Sequence, residues 1–275
     1  MTYNDILTCK FLSTKELEKE IIKAKTFNKK ENVCSFVGNK ILYHYQMPQL
    51  LKTHRKNKKS LYEIFQSEDD VKKLYEEKEK RNRVCSNQFV NLFETWRINN
   101  GSISFFKMCS AVYLYKKYKA TKVLDMTAGW GGRALGAINL DIEYTGLDTN
   151  IELKGGYDKM LDNFTNHKVK MIYEDCLTYD FKNLDYDFML SSPPYEDIEI
   201  YEHSTIYTKE KFYVEFLIPY ITKARKYNKG LTAINISPQM YKLLTEKYKY
   251  EKCNCTENLK EQKNGKTPDM IYLWK

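Results

Sequence analysis

Two short stretches hold residue types and spacings that can do chemistry. The first is "VLDMTAGWGGRALGA", residues 123–137, in which Gly129, Gly131 and Gly132 follow an apolar run and precede a helical pattern. Glycines at such a junction let the backbone turn tightly and approach a ligand. Gly129-x-Gly131-x-x-Ala134 fits the dinucleotide-type pattern G-x-G-x-x-G/A. Asp148 lies 19 residues after Gly129, at the end of the next apolar run, where a carboxylate can accept both hydroxyls of a ribose. The loop therefore predicts an adenosine-containing cofactor. Asp125, four residues ahead of the first glycine, puts an anion at the loop mouth. An anion there repels a pyrophosphate but suits a cationic sulfonium with an amino-acid tail, which favours S-adenosylmethionine over a nicotinamide cofactor.

The second stretch is "YDFMLSSPPYED", residues 186–197. A strand-like run stops at two prolines, which forbid further ladder pairing and stiffen the backbone. In a doubly wound sheet both stretches emerge at the carboxyl ends of strands, where ligands bind. The exocyclic amine of a nucleobase is a poor nucleophile, because its lone pair is delocalised into the ring. Acceptors that grip its two hydrogens free that lone pair. The Ser192 hydroxyl and the Pro193 carbonyl are such acceptors, and Pro193-Pro194 holds them without rotational freedom, which is preorganisation. Tyr195 offers a flat face on which an extruded base can stack.

Residues 1–100 read as mostly helical. "STKELEKEIIKAKTF" opens on a Ser/Thr cap, and "SEDDVKKLYEEKEKRNR" carries acids in its first turn and bases in its last. "INNGS" is a turn signal, and "SFFKMCSAVYLYKKY" predicts a helix. From residue 122 short strands alternate with helices: 122–126, 142–148, 168–175, 186–191 and 230–237. A long amphipathic helix spans 208–227, bent near Pro219. "YKYEKC" and "DMIYLW" are expected to pair as a closing hairpin. This alternation predicts an α/β fold with a mostly parallel, doubly wound sheet, an antiparallel closing hairpin and a mainly helical N-terminal region. The expected division is a basic helical region over 1–100 and a catalytic domain over 101–275.

The pair "DMTAGWGG" and "SSPPY" resembles the amino-methyltransferases of DNA, which form N4-methylcytosine or N6-methyladenine. That family shows an Asp-x-Phe-x-Gly-x-Gly cofactor motif and an Asp/Asn/Ser-Pro-Pro-Tyr catalytic motif. The resemblance runs from about Ser102 to Lys275, with "GKTPDMIYLWK" similar to the family's closing strand. It implies a Rossmann-like class I methyltransferase fold and S-adenosylmethionine as cofactor. Asp125, Thr127, Gly129 and Gly131 would shape the cofactor site, Asp148 would bind the ribose and Asp175 would lie near the adenine. Phe105 or Phe106 would flank the methionine part, and Ser192, Pro193, Pro194 and Tyr195 would be catalytic. Thr127 departs from the pattern, standing where the family has Phe. Ser192 leans toward cytosine N4 within the family, yet Ser and Asp both accept an amine proton, so adenine N6 stays open.

Charge points to the partner. The net charge is +9, of which residues 1–100, with 20 Lys and Arg against 13 Asp and Glu, hold +7. "KTHRKNKK" (52–59) has five bases, one histidine and no acid, as a contact for a polyanion or a solvated face would. Nucleic acid is the expected partner, DNA ahead of RNA, with an oligomer or partner subunit possible. No apolar run is long enough for a membrane span, and the polar N-terminus is not a secretory signal. Seven cysteines without C-x-x-C spacing read as reduced thiols of a cytoplasmic or nuclear protein, and no metal site is expected. The lean toward Lys, Asn, Tyr and Ile is what AT-rich coding in many viruses and some bacteria yields. Three other readings stay open: a methyltransferase of RNA or of protein glutamine, a non-catalytic nucleic-acid binder on the same scaffold, and a nicotinamide-dependent oxidoreductase. The last leaves the Ser-Pro-Pro-Tyr corner without a role.

Overall fold

A computed structural model describes residues 3–28, 34–81, 83, 87–101, 103–194, 199–200, 208–227, 229–259 and 270–275. The chain opens with α1 (Tyr3–Thr8), α2 (Thr14–Lys25), α3 (Asn39–Leu50), the two-residue strand β1 (His54–Arg55), α4 (Leu61–Ile64), α5 (Glu68–Lys80) and α6 (Gln88–Asn100). Side-chain caps set most of the starts. Ser13 and Ser60 form reciprocal boxes with Glu16 and Glu63, and Ser67 and Asn87 cap α5 and α6. The "INNGS" turn ends α6 at Gly101, at φ +86°. The sequence gives little sign of α3, because its buried residues, Ile41, Leu42, Tyr45, Gln46, Met47, Gln49 and Leu50, form no single stripe, and Pro48 interrupts it. It lies between α2 and the later part of the chain and is covered on several sides.

After α6 come α7 (Met108–Lys117), β2 (Lys122–Asp125), α8 (Gly132–Leu140), β3 (Glu143–Leu147), α9 (Lys154–Phe164), β4 (Val169–Ile172), β5 (Phe188–Ser191) and the short β6 (Glu199–Ile200). One helical rod follows: α10 (Lys209–Lys211), a π-helical stretch over Phe212–Leu217 and α11 (Ile218–Tyr227). The wide turns lie just ahead of Pro219, which has no N–H to give the ladder. The chain closes with β7 (Leu231–Ile236), α12 (Pro238–Lys242), a π-helical turn over Leu243–Lys247, β8 (Cys255–Asn258) and β9 (Met270–Trp274).

Seven strands form one sheet in the order β4-β3-β2-β5-β7-β9-β8. The first five run parallel, and β9 is antiparallel to both β7 and β8. This is the expected Rossmann-like, doubly wound architecture with an antiparallel close. One face packs on α7, α8, α9 and the N-terminal helices, the other on α11 and α12. Ile41, Leu42 and Trp96 share the first core with Ala111, Leu135 and Tyr157, so residues before and after position 100 bury their apolar surface together. Chain direction across the sheet reverses between β2 and β5, which pair at Val123↔Phe188 and Leu124↔Met189. The crevice outside that switch point is where open α/β sheets bind ligands.

Two expected elements shift. The hairpin partner of β9 is Cys255–Asn258, while "YKYEKC" is not a strand. Its alternating tyrosines serve ring packing: Tyr248 stacks on Tyr213 at 4.8 Å and Tyr250 meets Trp274 edge-on at 6.4 Å. The helix expected over "SFFKMCSAVYLYKKY" starts only at Met108. Phe105 and Phe106 precede it outside the helix, with Phe105 buried between Tyr43 (4.8 Å) and Trp130 (5.9 Å).

Candidate active site

The glycine loop leaves β2 and turns through Gly129 at φ +54° and Gly131 at φ +97°, a left-handed geometry that side chains other than glycine resist. A Cβ at Gly129 would meet nothing nearer than the Thr127 carbonyl at 3.9 Å, so the loop presents bare backbone. The Gly129 N–H donates to Asp148 Oδ2 (2.8 Å), and the Asn150 N–H donates to Asp148 Oδ1 (2.9 Å). These bonds fix the half-buried carboxylate at the end of β3, beside the loop. Burial raises its pKa, against the two amides that favour the charge. Asp175 is exposed beyond β4, where its Oδ1 accepts from the Leu177 N–H (2.7 Å).

Asp125, at the end of β2, has a different setting. It is fully buried, and Arg133 Nε–H donates to its Oδ2 at 2.5 Å. The Tyr144 hydroxyl donates to the same oxygen (2.6 Å), and the Ser191 hydroxyl donates to Oδ1 (2.6 Å). Arg133 is equally buried. It also donates to the Thr127 carbonyl (2.5 Å) and sits 5.0 Å over the Phe106 ring. Burial works against the guanidinium charge, but the adjacent carboxylate outweighs it and raises the Arg133 pKa. Arg133 therefore reaches neither solvent nor the loop mouth; it is the counter-ion of Asp125. Phe106, half-buried, contributes to this packing, while Phe105 lies in the aromatic group with Tyr43 and Trp130.

The two chemical stretches meet at Thr127. Its hydroxyl donates to the Ser192 carbonyl (2.9 Å), which can only accept, and lies 2.9 Å from Ser191 Oγ and 3.0 Å from the Tyr220 hydroxyl. The Tyr220 hydroxyl donates to Ser191 Oγ (2.6 Å). A polar chain thus runs from Arg133 through Asp125 and Ser191 to Thr127 and the backbone of Ser192, inside an otherwise apolar region. The Thr127 hydroxyl makes this link. Ser192 is half-buried, Pro193 buried and Pro194 exposed. The Ser192 hydroxyl donates to Asn235 Oδ1 (3.2 Å) on β7. Tyr195 lies outside the described residues.

Sequence reasoning singled out Asp125, Thr127, Gly129, Gly131, Asp148 and Ser192, which converge at the ends of β2, β3 and β5. It did not find Ser191, Tyr144, Tyr220 or Asn235. Asn235 left one signal, a polar amide in the apolar strand "LTAINI", since buried amides need partners. Ser237, just after β7, caps α12 by accepting from the Met240 N–H (3.1 Å).

The basic stretch 52–59 folds as β1 followed by a turn through Asn57, at φ +62°. β1 pairs antiparallel with β6, His54 with Ile200 and Arg55 with Glu199, so this stretch ladders onto the chain shortly after the Ser-Pro-Pro corner. Lys56, Lys58 and Lys59 are exposed there. Lys59 pairs with Asp70 (2.5 Å) and Lys52 with Glu152 (3.2 Å), which neutralises part of the cluster. Among the described residues no group of His, Cys, Asp and Glu is placed to hold a metal ion, and no helix is long and apolar enough to cross a membrane.

No protein-family model and no curated protein matches the chain. Among solved structures it is similar to TrmN from Thermus thermophilus, at 15% identity and a TM-score of 0.46, over 60% of this chain and 48% of that one. The chain thus spans about half the length of that protein. An rRNA methylase from Streptococcus thermophilus matches at 11% identity and a TM-score of 0.44, over 63% of this chain and 99% of its own. SMU.1697c, a putative methyltransferase from Streptococcus mutans in complex with SAH, matches at 12% identity and a TM-score of 0.43, over 62% and 98% of the two chains.

Proposed function

We propose that the chain is an S-adenosylmethionine-dependent methyltransferase acting on the exocyclic amine of a nucleobase in DNA, cytosine N4 or adenine N6. One observation carries this reading: the Thr127 hydroxyl bonds directly to the Ser192 carbonyl, so the glycine loop and the Ser-Pro-Pro corner form one site across the switch point. The residues suit the cofactor. Bare backbone at Gly129 admits a close approach, and Asp148, oriented by two amides, can accept a pair of ribose hydroxyls. Asp175, exposed beyond β4, lies on the side expected for an adenine. Bound there, S-adenosylmethionine would supply an electrophilic methyl group on a sulfonium. Attraction of that cation to Asp125, expected from the sequence, is weakened by the Arg133 counter-ion, so cofactor affinity rests on Asp148 and the loop backbone.

The corner handles the nucleophile. Ser192 Oγ and the Pro193 carbonyl accept the two N–H bonds of the amine, drawing its lone pair out of the ring. Pro193 and Pro194 keep the acceptors from turning away, so their alignment costs little when the substrate arrives. As the nitrogen–carbon bond forms and the carbon–sulfur bond breaks, the nitrogen becomes more acidic and sheds a proton. Ser192 holds that proton in a hydrogen bond before it passes to solvent. Tyr195 is assigned the stacking face for the extruded base. The basic turn at 56–59, laddered onto the chain beyond the corner, is assigned the phosphate contacts.

Calorimetry with S-adenosylmethionine and with NAD, followed by labelled methyl transfer to DNA, RNA and protein with nucleoside mass spectrometry, tests this. Binding of S-adenosylmethionine alone and N4-methylcytosine or N6-methyladenine in DNA are expected. Binding of NAD, or label only in RNA or protein, would replace the reading.

A further inference from the structure

We infer that Asn235 is a positioning residue that fixes which way the Ser192 hydroxyl points, leaving its lone pairs toward the substrate amine. This rests on the methyl-transfer reading and deepens it.

The argument is one of donors and acceptors. Asn235 sits near the end of β7 and is buried. Ile234 and Ile236 face the α11 side, while Ala233 packs with the α7 side, so alternation puts Asn235 on the latter. Its Nδ2–H donates to the Met270 carbonyl on β9 (3.0 Å). A carbonyl can only accept, so the amide nitrogen must face Met270 and the amide oxygen must face Ser192. That oxygen also only accepts, and it lies 3.2 Å from Ser192 Oγ. Ser192 therefore has to donate its single O–H to Asn235, and its lone pairs are what remain to meet a ligand.

Polarity is what the proposed chemistry needs. A freely rotating hydroxyl would offer its proton to the nitrogen lone pair for part of the time, and that contact suppresses nucleophilicity. A hydroxyl committed to Asn235 can only accept from the amine N–H. The chain Met270 carbonyl, Asn235 amide, Ser192 hydroxyl thus transmits a fixed orientation from the antiparallel closing strand to the corner. Thr127 fixes the other end of the same residue through the Ser192 carbonyl.

The test is a double-mutant cycle on kcat for methyl transfer to unmethylated duplex DNA of mixed sequence, with cofactor affinity and melting temperature measured alongside. Asn235→Ala is expected to lower kcat roughly tenfold when Ser192 is present, and to have little further effect when combined with Ser192→Ala. Cofactor affinity should stay within about twofold. An equal loss in both backgrounds would mean that Asn235 only supports the sheet edge, and would overturn the inference. Full turnover of Ser192→Ala alone would overturn the functional reading as well. Asn235→Asp keeps size and gives a second readout if the alanine variant folds poorly. When protonated, its acid can donate to Met270 and accept from Ser192 as the amide does. When ionised, it opposes the carbonyl. Its kcat relative to the unsubstituted protein should rise as pH is lowered, and a flat ratio contradicts the proposal.

Discussion

Two aspartates end neighbouring parallel strands, and the structure uses them in opposite ways. Asp125 closes β2, fully buried, its oxygens engaged by Arg133, Tyr144 and Ser191. Asp148 follows β3, half-buried, held by two backbone amides and, among the described residues, in no ion pair. The first carboxylate organises the protein's interior; the second stands beside the glycine loop, where the proposed cofactor would lie. A strand-end acid next to a glycine loop therefore does not define a ligand contact by itself. What decides is whether the fold supplies an internal cation, and here the first turn of α8 does so through Arg133.

Breaking the interior pair should have the largest effect. Arg133→Met would leave the Asp125 charge buried without its counter-ion, at a cost of about 3–5 kcal/mol. For a chain of this size that corresponds to roughly 6–20 °C in melting temperature, readable by calorimetric unfolding. Asp148 should behave in the reverse way. Burial holds the Asp148 pKa above its ordinary value, so the stability this group contributes at low pH is lost as pH rises through the raised folded-state pKa. Asp148→Asn removes that loss but turns an NH2 donor on one of the two backbone N–H groups, so the melting temperature at neutral pH should fall far less than in Arg133→Met, while S-adenosylmethionine binding weakens about tenfold or more. In the unsubstituted protein cofactor affinity should fall as pH is lowered through the same pKa. A large drop in melting temperature for Asp148→Asn would erase the contrast.

Thr127 sharpens the comparison, because it belongs to the interior network and also touches the corner. Thr127→Val should lower kcat about tenfold through the lost bond to the Ser192 carbonyl, with a stability cost of about 1–2 kcal/mol and little change in cofactor affinity. The smallest effect is expected on the surface. Lys56→Glu with Lys58→Glu should weaken DNA binding and lower the slope of log affinity against log salt by about 2, from two lost phosphate contacts. An unchanged slope would assign that turn to solvent.

The sequence revealed elements whose signals are local. The five parallel strands, the Ser13 cap and the glycine turn at 129–131 each follow from a few adjacent residues. It concealed pairings that depend on distant segments. Nothing near Arg133 in the sequence announces that it pairs with Asp125, eight residues earlier. Asn235 acquires meaning only when β9 arrives from the chain end to occupy its nitrogen. The hairpin partner of β9 was misplaced because alternating tyrosines fit a strand and a ring stack equally well. Helix α3 stayed hidden for a related reason: contacts from α2 and α9 bury it on several sides, so no amphipathic stripe marks it.

The most direct test of the account is a crystal structure with bound S-adenosylmethionine or a sulfonium analogue. The account predicts the ribose on Asp148 and the transferable methyl carbon within about 6 Å of Ser192 Oγ, which leaves room for one amine nitrogen at near-attack distance. A methyl carbon more than about 10 Å from Ser192 Oγ, beyond any near-attack geometry, or on the opposite face of the sheet, would contradict it.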